Sequence, residues 1–395
     1  MDSPINRRGF RYSPCEASHL LPALSYRGTE YAPFTARINF EDMNPQVYVS
    51  EAGTAVTTAK GWRMARANVG VREGDWYYEC KITNGMKPGD DSPSGHVRIG
   101  WARREGPSSP PRPPLLLLHV WWLTGAAPLD APVGFDAYSY GLRDQSCHKL
   151  HMSRPKELVA AGSSSSSSFV TGDVIGLHIS LPPLSQQRDI SSDATARAGD
   201  IIRDRLPIRF KNQLWFEHFE YQPTKEYEDL MNPATASAAA KHQHQHQNQH
   251  QHAPKVLPGS AIRIYRNGEF VATAFEDLFA LLPPASKPLP LVGGRELDDG
   301  SLGYYPAVSV FKGGAVEVNF GPEWLCPPRG LGDHVRAVCE RYDEQIAEDV
   351  LYDMVDEVDL LFTPSDDVEL AGGAKNAAAG AGRKEVIKEM VMDDE

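Results

Sequence analysis

Short runs of alternating apolar and polar residues recur along the chain as far as residue 334. The runs are rich in Val, Ile, Tyr, Phe and Trp, and turn residues separate them, which predicts β-strands. Asn267-Gly268 lies within one such segment and is a strong hairpin signal. Because no comparable helical periodicity precedes residue 334, we predict an all-β fold, an antiparallel two-sheet β-sandwich. The predicted strands are 46–50, 76–82, 96–102, 173–181, 213–219, 261–275, 304–311 and 315–321.

A helical pattern replaces the strand pattern over residues 334–362, a stretch without Gly or Pro. Apolar residues recur there at steps of three or four, which predicts an amphipathic C-terminal α-helix with a strongly acidic opposite face. Two interpretations stay open. The apolar stripe packs on the chain's own sandwich, or it docks in a partner's groove with Leu351 and Val355 as anchors. Repulsion among the acidic residues weakens the isolated helix and favours docking.

Four segments interrupt these patterns, and we predict disorder for them. Residues 184–207 are polar and charged, residues 232–258 are a low-complexity His/Gln tract, and residues 363–395 form a Gly/Ala-containing tail. The histidine tract suggests metal capture, but a solvated tract in a disordered loop is the favoured interpretation, so no metal site is predicted. Residues 106–127 join proline clusters to a bare apolar run, which is either a partner-binding insertion or an intron translated by mistake.

Composition narrows the class of protein. The chain has 395 residues, 41% of them hydrophobic, which suffices for a core, and a net charge of -12 argues against nucleic-acid binding driven by overall charge. Its five cysteines are widely spaced without a CxxC pair, as expected for reduced thiols inside the cell. No signal peptide is visible, and the apolar run 115–123 is shorter than the ~20 helical residues that cross a bilayer. We expect a soluble protein of the cytosol or nucleus.

Basic residues gather in the stretch GWRMARANVGVREGDWYYE, directly before an aromatic strand. Loops at the edge of a sandwich converge at one rim, so we expect Arg66, Arg72 and Arg98 to lie together near Tyr12 or Tyr138. Such a cluster would bind an acidic peptide or a phosphate through forked, charge-assisted hydrogen bonds. The alternative is that dispersed, solvated arginines neutralise the protein's own acids.

Catalytic motifs are missing from the sequence. It contains no phosphate-binding loop of the G-x-x-x-x-G-K-[ST] type, no G-x-S-x-G elbow and no H-E-x-x-H pair. Its histidines outside the tract are scattered along predicted strands and loops. We therefore predict a binding module without cofactors and not an enzyme.

Seven segments in the same order resemble one known family. They are GWRMARANVGVREGDWYYE, HVRIGWARRE, APVGFDAYSYGLRD, GDVIGLHISLP, IRIYRNGEFVATAFEDLF, GYYPAVSVFKGGAVEVNFGP and EDVLYDMVDEV. The chain resembles the SPRY-domain subunit of COMPASS-type histone H3 lysine 4 methyltransferase complexes, in its fungal form (the Bre-two or absent-small-or-homeotic-discs type). The resemblance covers roughly residues 9 to 362 without the inserts.

The resemblance implies a SPRY domain over 9–325, a partner-docking helix over 334–362 and a disordered tail. It further implies a nuclear, non-catalytic scaffold that stimulates histone H3 lysine 4 methylation. The implied partners are a WD40 subunit with an acidic segment, a dumpy-thirty-type helical dimer and, through the complex, a SET-domain methyltransferase. Arg66, Arg72 and Arg98 match the basic positions at the WD40-binding pocket. The groove-facing positions of the docking helix are Val350, Leu351, Met354, Val355 and Val358.

This sequence departs from the family pattern in two places. The insertion 106–127 stands where the family runs nearly continuously, close to the implied pocket. The zinc-finger-like and winged-helix region of the animal proteins has no counterpart here, so DNA binding by that route is not implied, and contact with a nucleosome stays open. The alternative function is a generic SPRY adaptor for acidic peptides, for example in choosing ubiquitin-ligase substrates.

Overall fold

The computed structural model describes residues 10–17, 26–87, 95–104, 129–158, 168–190, 201–203, 205–219, 221, 230, 254–282, 298–362 and 388–389, with the backbone alone at 356–362 and 388–389. The strands are β1 Phe10–Ala17, β2 Tyr26–Gly28, β3 Ile38–Met43, β4 Tyr48–Val49, β5 Ala55–Thr57, β6 Trp62–Ala67, β7 Gly74–Asn84, β8 His96–Ala102, β9 Ser139–Arg143, β10 His148–His151, β11 Arg154–Glu157, β12 Val174–Leu181, β13 Leu206–Phe210, β14 Gln213–Phe219, β15 Ala261–Arg266, β16 Glu269–Glu276, β17 Tyr305–Phe311, β18 Ala315–Asn319, β19 Arg336–Ala337 and β20 Lys388–Glu389. The helices are α1 Leu184–Ile190 and α2 Val338–Phe362, with a 3-10 turn at Gln145–Cys147.

Two large antiparallel sheets form the body of the protein. One has the strand order β16-β15-β12-β7-β18-β5-β4 and the other β11-β10-β9-β8-β17-β6-β3. The main core lies between them. Tyr78 of β7 crosses this core, because its hydroxyl donates to the carbonyl of Gly100 on β8 at 2.5 Å and its ring meets Trp101 edge-on at 5.1 Å. The predicted all-β fold with an antiparallel sandwich is confirmed.

Burial on both faces explains why the alternation in β7 is incomplete. Tyr78 points into the core between the sheets, and Tyr77 points the other way, yet both are fully buried. Tyr265 and Trp324 cover the outer face by edge-on contacts with Tyr77, at centroid distances of 5.8 and 4.8 Å. A strand covered on two sides reads as a nearly continuous apolar run.

The Asn267-Gly268 hairpin is also confirmed. The two residues join β15 to β16, and both have positive φ angles, 51° and 83°. Two consecutive positive φ angles are what a type I′ turn requires, and Asn followed by Gly adopts them at low cost.

A third, smaller sheet was not predicted. Its order is β2-β1-β14-β13-β20, and it has its own small core of Tyr12, Ile208, Phe210 and Trp215. Its first two strands lie in the N-terminal region, where no strand was predicted. β13 begins inside the segment 184–207, where charged residues hide the strand pattern.

The predicted disorder is wrong for parts of three segments. Within 184–207, α1 is an ordered helix whose Gln187 is buried and donates to the carbonyl of Arg72 at 2.7 Å. At the end of 232–258, Leu257 is fully buried, because residues 256–257 pair with the chain after β16. In the tail, β20 pairs in parallel with β13. Residues 106–127 and the remainder of the tail lie outside the described residues.

Helix α2 begins at Val338, four residues after the predicted start. The delay arises because Arg336 and Ala337 pair in parallel with β7 before the helix starts. Val338 and Tyr342 are buried against the main core, which confirms self-packing for the first half of the helix. Val350, Leu351, Met354 and Val355, in the second half of the helix, are exposed. Among the residues described, no helix combines the length and apolar composition needed to cross a bilayer.

Candidate protein-binding sites

The five residues predicted to form a basic pocket do not meet at one site. Arg66 and Tyr12 line the same cavity, whereas Arg72, Arg98 and Tyr138 lie outside it. The arginines differ in what they contact, and these contacts decide which of them is available to a partner.

Arg66 is buried and already paired within the chain. Its Nε and Nη2 donate to both carboxylate oxygens of Asp42, at 3.0 and 2.7 Å, and its Nη1 donates to the carbonyl of Arg103 at 2.6 Å. Burial opposes ionisation of Asp42, but Arg66 and Arg104 outweigh it and hold the pKa of that carboxyl below its usual value. These bonds use three of the five N–H donors of Arg66 inside the chain, and its main acidic partner is Asp42.

Arg72 is likewise committed to an internal acid. Its guanidinium forms a buried ion pair with Asp298, and its carbonyl accepts from the amide of Gln187. Burial disfavours the charge, yet Asp298 overcomes that cost and raises the pKa of Arg72. Arg66 and Arg72 thus neutralise the protein's own acids, as the alternative interpretation expected, but they are buried and not solvated.

Arg98 has a different environment. It stands directly opposite Arg143 on the neighbouring strand, and its guanidinium lies over the ring of Trp62 at 4.7 Å. Its buried Nε has no hydrogen-bond partner, and no described carboxylate forms an ion pair with it. Burial and the charge of Arg143 lower the pKa of Arg98 to about 10, with Asp144 opposing them.

The surroundings of Arg98 and Arg143 are basic and aromatic. Arg143 donates to the carbonyl of Gln145 at 3.1 Å and meets Nδ1 of His148 at 3.0 Å. Asp144 is held by the amides of Val97 and Gln145 and lies 3.2 Å from His96. We call Trp62, Arg98 and Arg143 the arginine-tryptophan patch.

A covering segment separates this patch from Arg66. Arg66 and Arg98 project from the same face of the sheet that contains β6, β8 and β17. The register shows this, because Arg66 lies opposite Ala307 and Arg98 opposite Ser309, which are alternate residues of β17. Residues 129–136 lie between them, because the carbonyl of Leu129 accepts from the amide of Met64 at 2.8 Å and the amide of Val133 donates to Ser309 at 2.9 Å.

The two predicted tyrosines are buried within the protein. The hydroxyl of Tyr12 donates to Glu217 at 2.8 Å, and its side chain borders the cavity beside Arg66. Tyr138 is only 3% exposed and packs with Ala137 and Phe279, so its ring is not at the surface.

The cavity has a volume of about 620 Å³. It lies between the small sheet, the edge strand β3 of the large sheet that contains β6, and α2. Seven arginines and seven acidic residues line it, so it carries no excess of positive charge. Sequence reasoning missed two of these arginines because they lie in the segment assumed to be disordered. The ion pairs along its walls are Arg11–Asp299, Arg27–Glu16, Arg37–Glu30, Arg66–Asp42, Arg104–Asp42, Arg203–Asp349 and Arg205–Asp353.

The second half of α2 carries the other candidate surface. Val350, Leu351, Met354 and Val355 are 40%, 57%, 42% and 43% exposed, which is unusual for four apolar residues within two helical turns. Val358 lies in the same helix, where the structure describes the backbone alone. Within the described ranges, no three His, Cys, Asp or Glu side chains come together as metal ligands.

These features define an antiparallel β-sandwich with a C-terminal helix that is half packed and half exposed. No family model matches the sequence. The chain is 42% identical to COMPASS component cclA of Colletotrichum higginsianum, over 98% of this chain and 74% of that protein. It is 45% identical to Set1 complex component ash2 of Schizosaccharomyces pombe, over 92% of this chain and 47% of that protein. COMPASS component BRE2 of Saccharomyces cerevisiae is 25% identical, over 91% of this chain and 88% of that protein.

The chain belongs to the family of these COMPASS and Set1 complex components, which confirms the resemblance seen in the sequence. Among solved structures, it is similar to the SPRY domain of human HERC1, with 13% identity and a TM-score of 0.33 over 73% of this chain and 99% of that chain. Another human SPRY domain gives a TM-score of 0.31 with 12% identity. Both scores are too low to support a conclusion.

Proposed function

We propose that this chain is a non-catalytic scaffold subunit of a COMPASS-type complex in the nucleus, where it stimulates histone H3 lysine 4 methylation by a SET-domain methyltransferase. The observation that carries the proposal is the 42% identity to COMPASS component cclA across 98% of the chain. The chain contributes to chromatin and transcription regulation through the proteins it binds.

The arginine-tryptophan patch is the proposed binding site for the acidic segment of a WD40 subunit. Arg98 and Arg143 face each other across neighbouring strands, and like charges in that position repel. A carboxylate placed between them would relieve the repulsion and supply an acceptor for the unpartnered Nε of Arg98. We prefer Arg98 to Arg66 and Arg72 for this role because those two already form buried ion pairs, with Asp42 and Asp298.

Trp62 adds apolar contact to the same site. Its ring stacks on Phe311 at 5.2 Å and lies beneath the guanidinium of Arg98. Such a platform holds Arg98 in one orientation, which reduces the entropy that binding must remove. A segment with an acidic residue next to an apolar one fits this combination of surfaces.

The exposed stripe of α2 is the proposed docking site for a dumpy-thirty-type helical dimer. Leu351 and Val355 project from adjacent turns and are 57% and 43% exposed, which is the arrangement of anchors in helix-in-groove binding. Docking would remove these apolar groups from water. The two proposed binding sites lie on different elements, so one scaffold holds two partners at once.

Affinity purification of the tagged chain from its native cells tests the proposal. We expect the WD40 subunit, the dumpy-thirty-type protein and the SET-domain methyltransferase to co-purify. Recovery of ubiquitin-ligase subunits without any of these three would overturn the proposal in favour of a generic SPRY adaptor.

A further inference from the structure

Two arginines outside α2 hold its exposed half in place. Nη2 of Arg203 donates to Oδ1 of Asp349 at 2.6 Å, and Nη2 of Arg205 donates to Oδ1 of Asp353. The guanidinium of Arg203 also lies over the ring of Tyr352 at 5.3 Å. We call the pairs Arg203–Asp349 and Arg205–Asp353 the ionic clasp.

The ionic clasp spans one turn of the helix. Residues four apart on a helix are separated by about 6 Å along its axis. Arg203 and Arg205 precede β13 in the sequence, and Asp349 and Asp353 are four apart on α2. One arginine therefore meets each turn of the helix.

The ionic clasp removes a repulsion that would otherwise weaken the helix. Like charges four residues apart destabilise a helix, and Asp349 and Asp353 have this spacing. The side chain of Asp353 is 7% exposed, so its charge is poorly screened by water without Arg205. Val338 and Tyr342, which anchor the first half of the helix in the core, are two to four turns away.

The ionic clasp lies on the opposite face of α2 from the proposed anchors Leu351 and Val355. Residues two apart on a helix point about 200° apart, so Asp349 faces away from Leu351 and Asp353 faces away from Val355. Arg203 and Arg205 therefore hold the helix from behind, and their side chains are only 12% and 19% exposed. A partner seated on Leu351 and Val355 alone would not touch them, although Val350 lines the same cavity as the two arginines.

We propose that Arg203 and Arg205 are positioning residues that order the second half of α2 before a helical partner binds. This inference rests on the proposed docking of a dumpy-thirty-type dimer. Binding to an ordered helix avoids the entropy cost of ordering it, so the ionic clasp raises affinity without contributing a contact. The chain segment expected to be disordered is thus part of the docking apparatus.

The test compares the full chain with its Arg203→Ala/Arg205→Ala variant, using a purified dumpy-thirty-type dimer as the probe. We expect binding about tenfold weaker in calorimetry, since two partly buried ion pairs are lost. Amide hydrogen exchange should lose protection at residues 349–355 and keep it at 338–346. Arg329→Ala breaks an exposed ion pair with Glu269 and should change neither readout.

A charge exchange separates positioning from direct contact. Arg203→Asp combined with Asp349→Arg rebuilds the ion pair with its charges exchanged, so it should restore the exchange protection and the affinity that Arg203→Asp alone removes. If Arg203 instead contacts the partner directly, the exchange would not restore the affinity. Unchanged exchange at 349–355 in the double-alanine variant would overturn the inference. If the wild-type chain does not bind the dimer, the proposed docking fails, and hydrogen exchange alone then decides whether the ionic clasp orders the helix.

Discussion

Arg98 and Arg143 lie directly opposite each other on β8 and β9, and the guanidinium of Arg98 rests over Trp62. No described carboxylate forms an ion pair with either arginine, although the chain as a whole has a net charge of -12. A repulsive, partly buried pair in an acidic protein costs stability. Recognition of an acidic partner gives a physical reason for retaining it.

The arginine-tryptophan patch predicts a charge-reversal effect. Arg98→Glu should abolish binding of an acidic WD40-subunit peptide, since a carboxylate then faces a carboxylate, and raising the salt concentration should weaken wild-type binding. Fluorescence polarisation with a labelled peptide measures both. Arg329→Glu changes the net charge equally at a residue whose side chain is 80% exposed, and it should bind normally. Wild-type binding that is insensitive to salt would contradict an electrostatic site.

We predict that replacing Arg66 lowers the stability of the protein without specifically weakening binding of the WD40-subunit peptide. Arg66→Ala leaves Asp42 with a buried charge and one remaining partner, Arg104, so we expect about 3 to 5 kcal/mol of destabilisation. Urea unfolding followed by tryptophan fluorescence measures the change. A variant as stable as the wild type would show that the pair is not structural.

The same pair predicts a pH dependence. The pKa of Asp42 lies below its unfolded value of 3.8, so its ionised form stabilises the protein above that value, and the stabilisation is lost as the pH falls through the folded pKa. Asp42→Asn should therefore flatten the fall in stability between about pH 5 and pH 2. Urea midpoints at a series of pH values report this slope. Parallel curves for wild type and variant would exclude a depressed pKa.

We predict that a substitution in the exposed stripe of α2 abolishes partner binding without affecting folding. Leu351→Asp should abolish capture of the dumpy-thirty-type dimer and leave the urea midpoint unchanged, because Leu351 is 57% exposed. Tyr342→Asp, on the buried side of the same helix, should instead destabilise the fold. If Leu351→Asp also unfolds the protein, the stripe packs inward.

Sequence patterns were sufficient for the sandwich and for α2. β7 and β12 are rich in the apolar residues typical of buried strands, and α2 has the helical spacing of apolar residues. Asn267-Gly268 identifies its hairpin without tertiary information. These signals are local, which is why they can be read from the chain alone.

Tertiary pairing could not be read in this way. The sequence shows that Arg66 follows a turn, but Asp42 meets it only because β3 and β6 become neighbours in the sheet. The charged segment before β13 resembles a linker until α2 packs beside it and pairs with Arg203. The expected convergence of loops at one rim failed because residues 129–136 cover the sheet between Arg66 and Arg98.

Reconstituted methylation tests the central claim most directly. The SET-domain subunit, the WD40 subunit and the dumpy-thirty-type dimer are assembled with wild-type chain, with Arg98→Glu, with Leu351→Asp or without the chain, and the rate of H3 lysine 4 methylation on nucleosomes is measured. We expect the wild-type chain to raise the rate, Arg98→Glu to lose the WD40 subunit and most of the stimulation, and Leu351→Asp to lose only the dimer. Equal rates with and without the chain would contradict a scaffold role.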